Sequence, residues 1–500
     1  MPYDETYRPH FHFSPAAHWL NDPNGLVFYE GEYHLFYQHY PAGTTHGPMH
    51  WGHAVAADLV NWTHMPIALY PDRNGYIYSG SAVIDWHDTA GFGKEAMVAI
   101  FTHHLDGRQS QSIAYSTDKG RSWTKYHGNP VIKSLAEPKD FRDPKVFWFE
   151  KSEGDGHWIM LLAAGNHVLF YSSPDLKDWS LLSRFGPDRG CTEGVWETPE
   201  LFELPVAGGP DTRWILAVAV SKGAPAGGSG VQYFVGDFDG STFTSENPRS
   251  TILWADYGPD FYASQAWTDE PFGRVIWTAW MNNWRYAEFI PTSTWRGSLA
   301  FPRRLGLRIT DLGLRLLQEP VSQIESLRGK RWFWQDEFIS PENGALLDDV
   351  QGQALDILAE FEVLKDQQPD SFGLQVRVGK NEQTTVGYNS NSQVLFVDRS
   401  ASGQADFCPG FAGKHSAQME PNGDTVQLRI LVDSSSVEVF GNNGQVVLTE
   451  RIFPDDRSAG LRIYAIGGPV WLRSLYIYVL DKAIFADSSE PKDAAVVRQR

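Results

Sequence analysis

The chain has 500 residues, more than one hydrophobic core usually serves, so two or three domains are expected. A formal net charge of −19 argues against nucleic acid or an anionic membrane as partner and fits a protein acting on a neutral substrate. Aromatic residues make up 14% of the chain, 19 of them tryptophan, and their flat faces with one polar edge suit sugar rings as well as the packing of sheets.

In chain order, the opening Met-Pro-Tyr-Asp-Glu-Thr has neither a basic region nor an apolar core, so no signal peptide is expected in this chain. Residence in the cytoplasm and secretion with a leader already removed both fit. The block Trp19-Leu20-Asn21-Asp22-Pro23-Asn24-Gly25 follows. Proline fixes its own φ and pushes the preceding residue towards extended geometry, which places Asp22 on a rigid strand end in front of an Asn-Gly turn. Val27-Phe28-Tyr29 and Tyr33 to Tyr37 around Glu30-Gly31 read as a hairpin, and Met97 to Phe101 and Ile159 to Ala163 as buried central strands. Helical periodicity is scarce, and the chain reads as all-β.

A short pattern recurs. Asp58-Leu59-Val60-Asn61-Trp62 resembles Asp118 to Trp123 and Asp175 to Trp179, with a fainter copy from Asp239 to Phe243. The aromatics lie 61, 56 and 64 residues apart, a period that suits the blades of a β-propeller, five of them over about 300 residues. Gly223 to Gly230 lacks the Gly-Lys-Ser/Thr ending of a phosphate loop and reads as a flexible hairpin. From about Glu319 the texture changes. A propeller over 1–320 is expected, then a linker over 321–332 with a short helix, and an antiparallel β-sandwich over 333–486. Asn442-Asn443-Gly444 marks a hairpin inside it, and the polar residues 487–500 are expected as a loose tail.

Three acidic residues sit in constrained settings: Asp22, Asp143 in Arg142-Asp143-Pro144, and Glu197 in Trp196-Glu197-Thr198-Pro199. A solvated turn accounts for any one of them. Three together, each at the start of a blade, point to convergence in one central funnel. Cleaving a glycosidic bond with retention needs two such carboxyl groups, one an ionised nucleophile and the other a proton carrier. His50 with His53, and His103 with His104, lack a carboxylate at metal-ligand spacing; Cys191 and Cys408 lie far apart and are expected as free thiols. No metal and no cofactor are expected.

On these three blocks, with Trp51-Gly52-His53-Ala54, Tyr78-Ser79-Gly80-Ser81, Phe261-Tyr262-Ala263-Ser264 and Trp280 to Trp284, residues 8 to 310 resemble family 32 of the glycoside hydrolases, the invertase, inulinase and levanase group. Leu431 to Pro454 resembles that family's C-terminal sandwich. The resemblance implies a five-bladed propeller followed by a sandwich, and a retaining, exo-acting β-fructofuranosidase. Asp22 would attack C2 of a terminal fructosyl unit, Glu197 would act as acid and then base, and Asp143 would bind hydroxyls and steady the transition state. It further implies substrate contacts from Asn21, Gln38, His46, Trp51, Tyr78, Ser79, Arg142 and Trp284. Two positions depart from the family: Thr198, where many members have cysteine, and His46, where they often have tryptophan. The substrate would be sucrose, inulin or levan, with monomer and homo-oligomer both open. A fructosyltransferase uses the same covalent intermediate. An inverting arabinanase-like propeller would not carry the Asn-Asp-Pro-Asn-Gly block, and a non-catalytic sugar-binding propeller would be expected to have lost an acid.

Overall fold

The computed structural model describes residues 3–152, 155–341, 345–363 and 368–488. Among them, strand dominates and the only helical turns are two short 3-10 segments, Ser322–Leu327 and Ala345–Leu347. Residues 18–320 form five successive antiparallel sheets. Their first strands are β1 (His18–Tyr29), β2 (Tyr76–Asp85), β3 (Phe141–Ser152), β4 (Trp196–Pro205) and β5 (Tyr262–Ala266). β1 packs against β2, β2 against β3, β3 against β4, β4 against β5, and β5 returns to β1, so the five sheets stand around one axis as a propeller.

The recurrent aspartate of the sequence pattern marks the turn between the third and fourth strands of the first four sheets. Asp58 accepts from the amides of Val60 and Asn61 at 3.0 and 2.8 Å, Asp175 from Lys177 and Asp178 at 2.9 Å each, and Asp239 from Ser241 and Thr242 at 2.8 Å each. Asp118 does the same for Arg121 and Ser122. In all four the next residue is left-handed, with φ of 65° at Leu59, 61° at Lys119, 63° at Leu176 and 88° at Gly240. The carboxylate replaces the backbone partner that such a turn lacks.

The sandwich pairs a six-stranded sheet with a five-stranded one around Ile357, Phe361, Leu374, Val386, Ile430 and Leu475. Its hairpin of Ser436–Gly441 and Val446–Arg451 turns through three left-handed residues, Asn442, Asn443 and Gly444. The boundaries differ from expectation in two places. Ser322–Leu327 supplies the short helix, buried through Ile324 and Leu327, but strand begins at Arg328, inside the expected linker. At the far end, Phe485–Asp487 belongs neither to the sandwich, where 485–486 were expected, nor to a loose tail from 487: it pairs in parallel with Trp62 to His64 at the outer edge of the first propeller sheet, and the Ser488 amide bonds the His64 carbonyl at 2.9 Å. An edge strand is thereby covered. The rest of the expected tail, 489–500, and the first two residues lie outside the described residues.

The two domains are held by buried charge. Arg303, fully buried, pairs with Asp256 of the propeller at 2.9 Å and with Glu438 of the sandwich. His12 lies between Asp433 and Glu438, 2.7 Å from each. Arg303→Leu leaves two carboxylates buried beside one another, and a loss of about 3–5 kcal/mol of stability is expected in urea unfolding. A loss below about 1 kcal/mol would show that the pairs carry little of the interface.

Candidate active site

Every first strand of the propeller carries a register slip near its beginning. The ladder to the second strand breaks between Leu20 and Pro23, Ile77 and Gly80, Arg142 and Lys145, Glu197 and Glu200, and Tyr262 and Gln265. Pro23, Pro144 and Pro199 fall in three of these slips. Proline has no amide hydrogen to give the ladder, so the chain bulges there and turns a neighbouring side chain towards the axis. The residues before two of these prolines are left-handed, Asp143 with φ 63° and Thr198 with φ 43°. Such backbone is costly for residues with a Cβ and is held in place by the surrounding sheet.

The slips bring Asp22, Asp143 and Glu197 to one cavity of ≈ 520 Å³. Asp22 accepts from Ser79 Oγ at 2.6 Å on one oxygen and from Asn21 Nδ2 at 2.9 Å on the other. Asn21 is itself fixed by the Trp19 indole at 2.7 Å. Asp143 is buried and accepts the Thr198 amide at 3.0 Å, so the left-handed residue beside Glu197 also anchors Asp143. Arg142 reaches Glu197 Oε1 with Nε at 3.1 Å and Nη2 at 3.0 Å, and Asp140 with Nη1 at 2.6 Å. Glu197 Oε2 receives the Tyr262 hydroxyl.

Burial pushes Asp22 up to about 6, with the charge of Glu197 adding to it and the donors Ser79 and Asn21 pulling back. Burial also raises Asp143, helped by Glu197 and Asp22 and opposed by Arg142. Tyr262 is raised well above its ordinary value by burial and by Glu197, so it stays a donor. Ser79→Ala removes a bond that favours ionised Asp22. The acidic limb of kcat/KM, set by Asp22 near pH 6, is expected to move up by about one pH unit. An unmoved limb in the pH profile would detach Ser79 from that titration.

Of the other expected contacts, Asn21, Gln38, His46, Tyr78, Ser79, Arg142 and Trp284 line this cavity. Gln38 is held by its bond to Asn24 at 2.8 Å, and Trp284 stacks on Trp19 at 6.2 Å. His46 stands open at the rim, edge-on to Trp284 and Tyr78, its amide on Glu288 at 3.1 Å. Desolvation of the ring where it meets Trp284 and Tyr78 lowers its pKa, which keeps it neutral near pH 7. Trp51 is the exception. It is fully buried and does not line the cavity; its indole donates to the Tyr78 carbonyl at 3.0 Å and props that bulge from behind. The cavity also takes in His104, Gln109, Asp140 and Glu288, to which sequence reasoning gave no role. Nor did it give one to Tyr262, although the Phe261 to Ser264 block carried it. Gln109 binds both Arg142 Nη1 at 3.2 Å and the Phe141 amide at 2.7 Å, which fixes the guanidinium from a neighbouring sheet. Of the histidines set aside as metal ligands, His53 lies fully buried against His34 and His103 against Ser112.

Comparison with known proteins agrees with this geometry. Residues 12–320 match the model of the glycosyl hydrolases family 32 N-terminal domain, and 323–479 that of the family 32 C-terminal domain. The chain is similar to a levanase of Bacillus subtilis (strain 168), 53% identical over 487 residues that cover 96% of this chain and 71% of that one. It is similar to an extracellular exo-inulinase of Aspergillus awamori, 38% identical over 93% of each chain. Among solved structures, that of exo-inulinase from Aspergillus awamori superposes with a TM-score of 0.90 at 36% identity, covering 96% of this chain and all of the other. A fructofuranosidase from Schwanniomyces occidentalis complexed with fructose does so at 0.89 and 32%, with the same coverage.

Proposed function

The chain belongs to glycosyl hydrolase family 32, as a β-fructosidase acting on fructans or sucrose, and from that premise we propose that it removes terminal fructosyl units by a retaining double displacement. The observation that carries the reading is the convergence of Asp22, Asp143 and Glu197 on one cavity, with Asp22 aimed by two neutral donors and Glu197 set beside Arg142 and Tyr262. Asp22 attacks C2 as the bond from C2 to the leaving oxygen breaks, and Glu197 gives that oxygen its proton. Water then attacks C2 of the fructosyl ester, Glu197 takes the water's proton, and Asp22 is released. Asp143, fixed by the Thr198 amide, accepts hydroxyls of the ring and supports positive charge as it develops at C2.

Gln38, Tyr78 and Trp284 orient the ring. Residues 1–320 form the catalytic unit in this reading, and 333–486 brace it. The anomer of fructose released first from sucrose, followed by proton NMR before mutarotation, tests the stereochemistry: β supports retention and α rejects it. In parallel, levan and inulin should yield fructose alone at early times. Early short oligosaccharides would mean internal cleavage, and longer kestose-type products from sucrose would mean transfer.

A further inference from the structure

A different cavity lies further along the inner strands. The acids come from the beginnings of β1, β3 and β4. A cavity of ≈ 310 Å³ is lined instead by the end of β2, the middle of β3 and β4 and the residues after β5. Five aromatic side chains around it, Trp86, Phe147, Trp148, Phe202 and Trp214, keep part of their surface exposed, and Trp86 is 49% exposed. Trp86 is the exposed member, and the other four are half-buried and pack against the core.

The floor of this cavity is polar. Glu200 is fully buried, with Lys145 Nζ 2.9 Å from its Oε2, while the ammonium donates to the Ala266 carbonyl at 3.0 Å. The Lys145 ammonium and the Ala266 amide are the partners of the Glu200 carboxylate. At the rim, the Trp86 indole donates to Asp269 at 2.9 Å, which fixes the orientation of its exposed face. We propose that this cavity is a second saccharide site, one that holds a sugar unit of a neutral chain away from the catalytic acids.

The chemistry selects among ligands. Glu200, Glu203 and Asp269 outnumber Lys145, which disfavours an anion. A cation brings donors only and would meet the Lys145 ammonium. A sugar hydroxyl both donates and accepts, so it can bond Glu203 and Asp269 while the apolar faces of the ring lie on indole. The volume is at the lower end for small-molecule pockets, enough for a terminal sugar and little more. The site stands on its own geometry, and its failure would leave the catalytic reading intact.

The test is calorimetric titration of the full-length Asp22→Asn variant with inulin-type fructotetraose, which that variant should not consume. Two sites per chain are expected, falling to one when Trp86→Ala is added and staying at two with Trp86→Phe. In the active enzyme, Trp86→Ala should leave sucrose cleavage within about twofold. It should raise KM for long-chain levan about three- to tenfold, because a second anchor raises the effective concentration of the chain. One site in both backgrounds, or two that persist in Trp86→Ala, overturns the proposal. So does choline chloride binding at Trp86 where fructotetraose does not.

Discussion

Asp22→Asn is expected to lower sucrose and fructan hydrolysis by about 10⁴-fold or more, with KM little changed. The amide fills the same space and keeps neighbours for Ser79 and Asn21, so binding survives while the attacking oxygen is lost. The same change should stabilise the protein. Asp22 titrates near 6 in the fold against an ordinary 3.8, so the native state holds the proton more tightly than the unfolded chain does. Stability therefore falls as pH rises from about 4 to 6 and stays lowered above that. A shift of about two units corresponds to no more than about 3 kcal/mol. Urea unfolding near pH 7 should find the variant more stable by about 1–3 kcal/mol, with the gap closing towards pH 3.5. A variant with near wild-type turnover would remove Asp22 from the chemistry. A variant less stable at both pH values would show that its burial carries no strain.

Glu197→Gln should cost about 10³–10⁴-fold on sucrose, whose glucosyl oxygen needs a proton to leave. Fructosyl fluoride needs none. With that substrate a burst of one fluoride per chain is expected, followed by slow turnover, since no base remains to activate water. Azide, which attacks without losing a proton, should restore turnover and yield fructosyl azide. Equal losses on sucrose and the fluoride would mean that Glu197 acts by placing substrate and carries no proton. Because Arg142 and Tyr262 both bond Glu197, the glutamine will also disturb them, so the contrast between the two substrates is the informative reading.

The sheets were legible because their turns carry chemistry: an aspartate that caps two amides before an aromatic leaves a trace every sixty residues. The three acids were legible because proline must break a ladder, and a broken ladder next to an acid is visible in the letters. Trp51 was misplaced for a related reason. A matched block fixes the strand but not which of its alternating faces a residue takes, and Trp51 takes the one behind the Tyr78 carbonyl rather than the cavity. Tyr262 sat in such a block with no hint of what it would touch. Gln109 and Glu288 reach the cavity from a hairpin and a loop whose local pattern is ordinary, so only the closure of the ring shows their part. Phe485–Asp487 fell across the expected end of the sandwich, since three residues are too short a run for any periodicity.

That last strand bears on how the chain folds during synthesis. The first sheet begins with residue 18, yet its flanking strands are Trp295–Arg296 on one side and Phe485–Asp487 on the other. The first sheet to leave the ribosome is thus the last to be finished, and its outer edge waits through the making of both domains. Chains cut short before residue 485 should carry that edge open, with Trp62 to Leu69 as a template for other chains. The vulnerable interval lasts until both domains have been made, and it lies at the oldest strands of the first sheet.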